Sequence, residues 1–495
     1  MNRSELGHRH RGDLRGALSH DRAPARVTVE LTPEAGASPT AQHLVWMLVN
    51  LLARQADEVA VLDLRVPADV PLGVKLSPLV PGGSDLAAAL RAGVSAINPA
   101  VLTSELIPRA SVHVRVGPGP VGKADFNLVS SALGWSGHVG QHPVGTLGTD
   151  GNPVGAYVAA CLAAGEVFKF VRAVGAEHGE FAQGLWLDAF ALGLREAPEL
   201  GPHLPSDLPT PAFVLPGVGA VGSAFLQVLY ALPGLRAMAE LVDGDPDGVD
   251  LTNLNRYILF GVPHLGSMKA STAAGFFSGT SLRVHGTDTT FEAWRAADPS
   301  RPLGLLISGV DKNRARHALQ DALPERVLGA STFEMRAQLN LYVPQEGGPC
   351  LRCHNPVEDA TPDAIIRQRL LAQAPAERAQ LAQAQGMAPE VLEEYLMDPA
   401  AHCGKVSGDM LRRFDTATGQ HEWSVGFVSV LAGTLLAAEY LKLALGKPTL
   451  DVDSNRFLFQ FWRPEHRRSN RVTGLPAEPG CLCGQPWYRA ALDSR

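Results

Sequence analysis

Three glycines are the first residues of this sequence whose type and spacing could do chemistry. Gly217, Gly219 and Gly222 lie in the stretch FVLPGVGAVGS, where an apolar strand runs into a predicted helix. Glycines at these positions permit a tight turn and let backbone amides approach a phosphate at the helix N-terminus. The pattern admits NAD, FAD, S-adenosylmethionine or ATP, and glycine turns that bind no ligand are also common.

Charged residues downstream of the glycine turn favour ATP. The segment DGDPDGVDLTNLNRYILFGVPHLGSMK follows the next strand and contains Asp245, Asn253, Arg256 and Lys269. A dehydrogenase needs little more there than one acid for the ribose. Because a guanidinium and an ammonium together can balance the charge of a triphosphate and of departing pyrophosphate, this pair indicates a nucleoside triphosphate.

A further acid follows another apolar strand, in LGLLISGVDKNRARHAL. Asp311 would lie at the C-terminal edge of a parallel sheet, where a carboxylate can hold Mg²⁺ between phosphates. Taken alone, Asp311 would more readily be the N-cap of the helix that begins near Asn313. Its position downstream of the glycine turn and the Arg/Lys pair favours the magnesium role.

The six cysteines separate into two close pairs and two single residues. CLRC contains Cys350 and Cys353, and CLC contains Cys481 and Cys483. Two close pairs suit a tetrahedral structural Zn²⁺, and we favour this interpretation over four unrelated cysteines.

The two single cysteines have different surroundings. Cys161 lies within an apolar helix and is predicted to be a buried small hydrophobe. Cys403 lies in DPAAHCGKVSGDM, where His402 and Lys405 could lower the pKa of its thiol. Cys403 is therefore the candidate nucleophile, and an incidental loop cysteine is the alternative.

The elements that must position these residues indicate an α/β fold with duplicated halves. The order strand, helix, strand from Val27 (VTVEL, AQHLVWMLVNLLARQ, EVAVLDL) recurs from Ala212 (AFVL, SAFLQVLYAL, MAELV). The first copy has TPEAGASPT where the second has the glycine turn. Helices near Asn152 and Ser424 both close on Glu-x-x-Lys, which favours duplication over shared packing chemistry.

Composition shifts divide the chain into several segments. Residues 361–397 within the second half predict one or two amphipathic helices, and EFAQGLWLDAFALGLRE predicts a helix before a Pro-rich stretch. The predicted segments are a flexible tail (1–26), a first half (27–175), a linker (176–210), a second half (211–484) with a helical insertion (357–405), and a C-terminal tail (485–495).

Length and composition limit the classes of protein. The chain has 495 residues, 19% of them charged, and a formal net charge of -7, so disorder and a general nucleic-acid-binding surface are not indicated. An N-terminus without an apolar core and the lack of long uninterrupted apolar runs predict no membrane partner and a cytoplasmic location. Six cysteines do not make a disulfide scaffold in a chain of this length.

Several motifs together resemble the ubiquitin-activating-enzyme superfamily, which includes the ThiF and MoeB adenylyltransferases for sulfur carriers. They are GVGAVG, DPDGVDLTNLNR, Lys269 thirteen residues after Arg256, and the spacing of Asp311 and Arg316. The stretch NLNRYILF is nearer to the eukaryotic-type activating enzymes. The resemblance covers about residues 211–484, and the first half matches only in the order of its elements.

The resemblance implies two Rossmann-like, ThiF-type α/β domains fused as a pseudo-dimer, with ATP, Mg²⁺ and Zn²⁺ as cofactors. It places Asp245 on the ATP ribose, with Asp243 as a rival that lies nearer the strand end. It places Asn253 and the Arg256/Lys269 pair around the phosphates. The carboxylate of Asp311 would hold Mg²⁺, and an unassigned arginine of the inactive first half would point toward the site.

The implied function is that of a bacterial ubiquitin-like-protein activating enzyme. Such an enzyme adenylates the C-terminal carboxylate of a ubiquitin-like protein, forms a thioester on Cys403, and hands the protein to a conjugating enzyme. One alternative is adenylation of a sulfur carrier without a stable thioester, and another is a non-catalytic, zinc-stabilised scaffold. The sequence leaves open the carrier protein and whether the fused halves dimerise further.

Overall fold

In the computed structural model of the chain, the described residues are 23–493 apart from 81, 83–84, 105–108, 121, 175–178, 245–247, 357–361, 372, 385 and 398–424. They fall into two compact units, one of residues 23–355 and 425–493 and one of residues 356–397.

The strands are β1 (Ala25–Leu31), β2 (Val59–Arg65), β3 (Leu102–Ser104), β4 (Val112–Val116), β5 (Phe126–Leu133), β6 (Ser136–Gly140), β7 (Gly184–Asp188), β8 (Gly193–Arg195), β9 (Leu208–Pro209), β10 (Phe213–Pro216), β11 (Leu235–Arg236), β12 (Met238–Val242), β13 (Arg283–Thr287), β14 (Leu305–Ser308), β15 (Arg326–Phe333), β16 (Arg336–Tyr342), β17 (Arg456–Gln460) and β18 (Arg471–Thr473). The helices are α1 (Pro33–Gly36), α2 (Pro39–Arg54), α3 (Leu86–Ile97), α4 (Pro153–Val171), α5 (Ala220–Tyr230), α6 (Lys269–Phe276), α7 (Phe291–Ala297), α8 (Asn313–Asp321), α9 (Pro362–Leu371), α10 (Pro375–Ala384), α11 (Pro389–Met397), α12 (Gly426–Ala444) and α13 (Pro486–Asp493).

Two eight-stranded sheets of the same design form the larger unit. The first has the order β3-β2-β1-β4-β5-β6-β7-β8, and the second has the order β13-β12-β10-β14-β15-β16-β17-β18. In each sheet the first five strands are parallel and the last three are added in antiparallel fashion. The mixed α/β class predicted from the sequence is therefore confirmed, with large sheets that are rich in parallel strands.

The two long helices α4 and α12 pack against each other and carry the repeated Glu-x-x-Lys. Lys169 pairs with Glu166 at 2.7 Å, and its ammonium donates to the Phe461 carbonyl of the other half at 2.9 Å. Lys442 pairs with Glu439 of its own helix and donates to the Phe190 carbonyl of the first half. Each buried lysine thus reaches a backbone carbonyl of the opposite half.

Helices α4 and α12 are long and apolar enough to cross a membrane. In the structure, 94% and 89% of their most apolar windows are buried inside the protein. A helix that is apolar on all sides is expected at the centre of a large core, since no face of it meets water. Their burial against sheets and against each other is that of core helices.

The helix predicted over residues 180–196 is wrong. The segment forms β7 and β8, and β7 pairs antiparallel with β6 from Ser136↔Asp188 to Gly140↔Gly184. Ladder hydrogen bonds and the burial of four consecutive residues of β7, 185–188, outweigh the local helical pattern. The stretch 176–210 therefore contributes two strands to the first sheet, although it was predicted to be a linker.

Both predicted tails contain structure next to the core. Strand β1 begins at Ala25, within the tail predicted for residues 1–26. Helix α13 lies within the predicted tail 485–495, and its Tyr488 and Leu492 are buried. Burial of apolar side chains stabilises these ends although neither segment has a long apolar pattern.

The smaller unit consists of three short helices, α9, α10 and α11, where the sequence predicted one or two. Their apolar side chains form a separate cluster that includes Leu370, Ala382, Leu392 and Leu396. The Arg378 guanidinium donates to both carboxylate oxygens of Glu393, at 2.6 and 2.9 Å, which ties α10 to α11. The segment therefore has a core of its own.

Candidate functional site

The glycine turn between β10 and α5 forms the centre of the candidate site. Gly217 has φ of +83°, and its amide donates to the Val242 carbonyl at 2.8 Å. A side chain on Gly222 would lie 2.4 Å from the Gly217 carbonyl oxygen. The turn therefore needs glycine at both positions, the first for its backbone conformation and the second for the close approach of helix and turn.

Asp243 lies directly against the glycine turn. It follows β12, the parallel neighbour of β10, and its Oδ2 accepts a hydrogen bond from the Val218 amide at 2.6 Å. Asp245, to which the resemblance assigned the ribose, lies outside the described residues. The carboxylate that the structure places beside the turn is that of the rival residue, Asp243.

Arg256 and Lys269 come together around the ring of Tyr257. The Arg256 guanidinium carbon lies 5.1 Å and the Lys269 Nζ 5.4 Å from the ring centroid. The Tyr257 hydroxyl lies 3.5 Å from the position that a Cβ on Gly219 would occupy. Tyr257 thus links both cations to the glycine turn, and attraction between the cations and the ring offsets part of their mutual repulsion.

Both cations are almost fully buried, with exposed fractions of 6% for Arg256 and 3% for Lys269. Burial removes the hydration of both positive charges, so each depends on hydrogen bonds or charged partners in the folded protein. Such a concentration of positive charge beside a glycine turn is suited to an oligophosphate. Tyr257 belongs to none of the motifs identified in the sequence, where its one signal is an aromatic residue directly after Arg256.

Asn253 holds the backbone of the segment that carries Arg256. Its Oδ1 accepts from the Asp250 amide at 3.1 Å, in a capping box at the start of a short 3₁₀ helix (Leu251–Asn253). The Arg256 Nη1 donates to the Thr252 carbonyl at 2.9 Å and to the Asn255 Oδ1 at 2.7 Å. These contacts fix the guanidinium stem close to the 3₁₀ turn.

Asp311 lies at the carboxyl end of β14, on the other side of β10. The preceding Val310 has its Cγ1 3.4 Å from the position of a Cβ on Gly217, so the residue before Asp311 lies beside the glycine turn. Its side chain is exposed, and the N-cap of α8 is Lys312, so the alternative that Asp311 caps this helix is wrong. An exposed carboxylate at this edge fits a magnesium ion that is held mainly by phosphates.

The four paired cysteines meet in one cluster. Their sulfur atoms all lie within 4.8 Å of one another, and three Sγ–Sγ distances are 3.8 Å (Cys350–Cys353), 3.6 Å (Cys350–Cys481) and 3.5 Å (Cys353–Cys483). A tetrahedral ZnS₄ centre with Zn–S bonds of about 2.3 Å requires sulfurs about 3.8 Å apart. The cluster therefore fits zinc, and Cys-x-Cys serves as well as Cys-x-x-Cys.

Two backbone amides donate hydrogen bonds to sulfur atoms of the cysteine cluster. The Arg352 amide donates to the Cys350 Sγ and the Glu478 amide to the Cys353 Sγ, both at 3.4 Å. Hydrogen bonding within the pair lowers the pKa of the Cys353 thiol below its usual range and raises the pKa of the Cys350 thiol. Thiolates stabilised in this way are the form that binds a metal.

The remaining cysteines are not part of the cluster. Cys161 is fully buried in α4, and burial raises the pKa of its thiol far above the usual range, as expected for an inert core residue. Cys403, the candidate nucleophile, lies outside the described residues.

Two family models match the chain. The model described as the ThiF family matches residues 195–483, and the model described as the BilD N-terminal domain matches residues 26–186. The first match contains the glycine turn, both cations, Asp311 and all four clustered cysteines. The second match covers most of the sheet that lacks a glycine turn, from β1 into β7.

Similar curated proteins include one of nearly equal length. The uncharacterized protein y4jF of Sinorhizobium fredii is 26% identical over 97% of this chain and 92% of its own length. An adenylyltransferase and sulfurtransferase MOCS3-1 of Zea mays is 26% identical over 32% of this chain and 33% of its own length. The NEDD8-activating enzyme E1 catalytic subunit of Caenorhabditis elegans is 34% identical over 23% of this chain and 25% of its own length.

Proposed function

Because the chain belongs to the ThiF family and is an adenylyltransferase of the ThiF/MoeB type, we propose that its second half adenylates the C-terminal carboxylate of a ubiquitin-like protein. The observation that carries this proposal is the meeting of Arg256 and Lys269 around Tyr257, beside the glycine turn. The similarity to the NEDD8-activating enzyme subunit supports a ubiquitin-like substrate.

In this proposal the substrate carboxylate attacks the α-phosphate of ATP, and the bond to the β-phosphate breaks to release pyrophosphate. The two cations, which are almost fully buried, would stabilise the negative charge that grows on the leaving pyrophosphate. Asp245 would hold the ribose, and Asp243, beside the turn, is the rival for this role. Asp311 would hold Mg²⁺, which when bound supplies further positive charge to the phosphates.

The first half would serve as an inactive partner within a fused pseudo-dimer. Where the second half has its glycine turn, the first has the short helix α1, followed by Ser38, whose Oγ caps α2 by accepting from the Ala41 amide at 3.2 Å. The first half therefore lacks the glycine turn that lets a phosphate approach the backbone amides. The identical strand order of the two sheets supports the fused pair.

A second step would transfer the carrier from AMP to Cys403. The thiolate attacks the mixed anhydride, a thioester bond forms, and AMP leaves with the electron pair of the broken bond. A conjugating enzyme would then accept the carrier from this thioester. The zinc centre of the four clustered cysteines would be structural. Four cysteine sulfurs fill all four positions of a tetrahedral zinc ion, so no coordination position is left open for a substrate.

The test is to incubate the protein with Mg-ATP and a panel of ubiquitin-like proteins. We expect a covalent adduct that a thiol reductant removes and that Cys403→Ala does not form. Cys161→Ala is the matched control, because that cysteine is buried, and it should retain the adduct. A reductant-sensitive adduct on Cys403→Ala would overturn the cysteine assignment.

The similarity to the maize adenylyltransferase and sulfurtransferase favours a second candidate function, adenylation of a sulfur carrier without an enzyme thioester. The adenylation chemistry and its residues are the same in both candidates. Pyrophosphate exchange into ATP that depends on a carrier and is unchanged in Cys403→Ala, with no adduct, would favour this second function.

A further inference from the structure

Arg54, the last residue of α2 in the first half, reaches into the segment that carries Arg256. We call residues 254–260 the cation segment. The Arg54 guanidinium donates through Nη1 to the Leu254 carbonyl, and through Nη2 to the carbonyls of Ile258 at 3.2 Å and Phe260 at 2.9 Å. Its contacts therefore bracket Arg256 and Tyr257 on both sides.

The Arg54 side chain is itself held in one orientation. Its Nε donates to the Asn50 Oδ1 at 2.6 Å, one helical turn earlier on α2, and Asn50 lies 3.5 Å from the Ile258 carbonyl oxygen through its Nδ2. The Arg54 side chain is 1% exposed, and burial lowers the pKa of the guanidinium to about 9. The group therefore remains charged at neutral pH, and donates from a planar fork that only arginine offers.

The cation segment depends on these donors because it is irregular and buried. Leu254, Ile258 and Phe260 are all fully buried, so their carbonyls lose Arg54 as a donor without gaining bulk water if the guanidinium is removed. A shift of this backbone would move the Arg256 guanidinium and the Tyr257 ring away from the glycine turn. Misplacement by about 1 Å is enough to cost a large factor in binding or rate.

The opposite half makes the reciprocal contact. Gln227, on α5 of the second half, donates through Nε2 to the Leu76 carbonyl of the first half at 2.6 Å. Helices α2 and α5 thus each hold a loop of the other half. Only the contact made by Arg54 holds a loop that carries nucleotide-binding candidates, since the first half has no glycine turn.

We propose that Arg54 is a positioning residue for the ATP site: from the first half, its guanidinium fixes the cation segment so that Arg256 and Tyr257 face the glycine turn. Arg54 acts through backbone carbonyls and does not itself touch the nucleotide. The inference gives the first half a role in the reaction of the second, and it rests on the proposed function because the site must bind ATP.

The experiment measures Mg-ATP binding by isothermal titration calorimetry at a temperature where every variant keeps its near-ultraviolet circular dichroism. Arg54→Met keeps most of the volume and loses all donors, whereas Arg54→Lys keeps a charge and some donors. The matched control is Arg172→Met, a buried arginine that pairs with Glu58 within the first half. Asn50→Ala, which removes the group that orients Arg54, is a milder change if Arg54→Met does not fold.

We expect Arg54→Met to weaken ATP binding by about tenfold or more, a factor that one lost charged contact can account for. Arg54→Lys should recover part of the affinity, Asn50→Ala should lose an intermediate amount, and Arg172→Met should stay within about twofold of wild type. A packing role would instead make Met as good as Lys. Wild-type affinity for ATP in Arg54→Met, or equal losses of affinity in Arg54→Met and Arg172→Met, would overturn the role of Arg54 but not the proposed function. A wild-type protein that binds no ATP would overturn the proposed function itself.

Discussion

Two buried lysines, Lys169 and Lys442, each donate to a backbone carbonyl of the opposite half. Replacing Lys442 with methionine removes the ammonium group from one of these two contacts. The ammonium donates to the carbonyls of Ala189 (3.2 Å) and Phe190 (2.9 Å) and to the Thr449 hydroxyl (2.7 Å), and it pairs with Glu439 at 2.5 Å. Breaking a fully buried ion pair by removing one partner costs about 3–5 kcal/mol. Glu439 keeps two amide donors at 2.8 Å, from residues 449 and 450, which places the expected loss at the lower end of this range.

The loss should be measured as the free energy of unfolding in urea, followed by tryptophan fluorescence. The double variant Glu439→Gln/Lys442→Met removes the unpaired charge, since the amide oxygen of glutamine still accepts from the two amides, and it should recover about 1–2 kcal/mol. Lys447→Met, an exposed lysine next to the same helix, is the control and should stay within about 0.5 kcal/mol of wild type. A Lys442→Met variant as stable as the control, or a double variant no better than the single one, would refute this reasoning.

Three further predictions concern the site, the cysteines and a buried histidine. Tyr257→Phe should bind Mg-ATP with an affinity within about threefold of wild type because it keeps the ring, whereas the affinity of Tyr257→Leu, measured by calorimetry, should be about tenfold lower. Equal affinities of Tyr257→Phe and Tyr257→Leu would exclude a role for the ring. Metal analysis should find one zinc per chain, which Cys483→Ser loses and Cys161→Ala keeps. Burial lowers the pKa of His43 from 6.5 to about 3. Below pH 6.5 the unfolded chain therefore binds a proton that the folded chain does not bind, and the free energy of unfolding decreases as the pH is lowered. Between pH 7 and pH 5, His43→Met should lose about 2 kcal/mol less unfolding free energy than wild type, and a parallel pH profile would contradict this.

The parts of the fold that were predicted correctly had a strong local pattern. The strand MAELV coincides with β12, and the long apolar helix after the first strand is α2. The helix predicted over residues 180–196 failed because its apolar spacing fits a helix as well as a strand, and the choice depends on pairing with β6, which is distant in sequence. The small helix α13 was missed because its stabilising contacts are with the cysteine cluster.

In the candidate site, too, the residues with a recognisable local pattern could be predicted, whereas contacts between distant parts of the chain could not. Gly219, Arg256, Lys269 and Asp311 were selected by residue type and spacing. The structure connects the first three through Tyr257 and puts Asp311 at the adjacent strand end. The contacts of Arg54 could not be predicted, since a helix-terminal arginine in the first half gives no sign that its partners lie two hundred residues later.

The meeting of all four cysteines supports zinc more directly than their spacing did. By contrast, the thioester role of Cys403 and the ribose role of Asp245 remain predictions, because both residues lie outside the described part of the chain.

The most direct test of the account is the stoichiometry of Mg-ATP binding to the whole chain, measured by calorimetry or equilibrium dialysis. We expect one ATP per chain, which the double variant Arg256→Ala/Lys269→Ala loses and which Glu34→Gln, a substitution in α1 of the first half, keeps. Two ATP molecules per chain, no binding by the wild-type protein, or one ATP that survives the double variant would contradict the assignment of a single active second half.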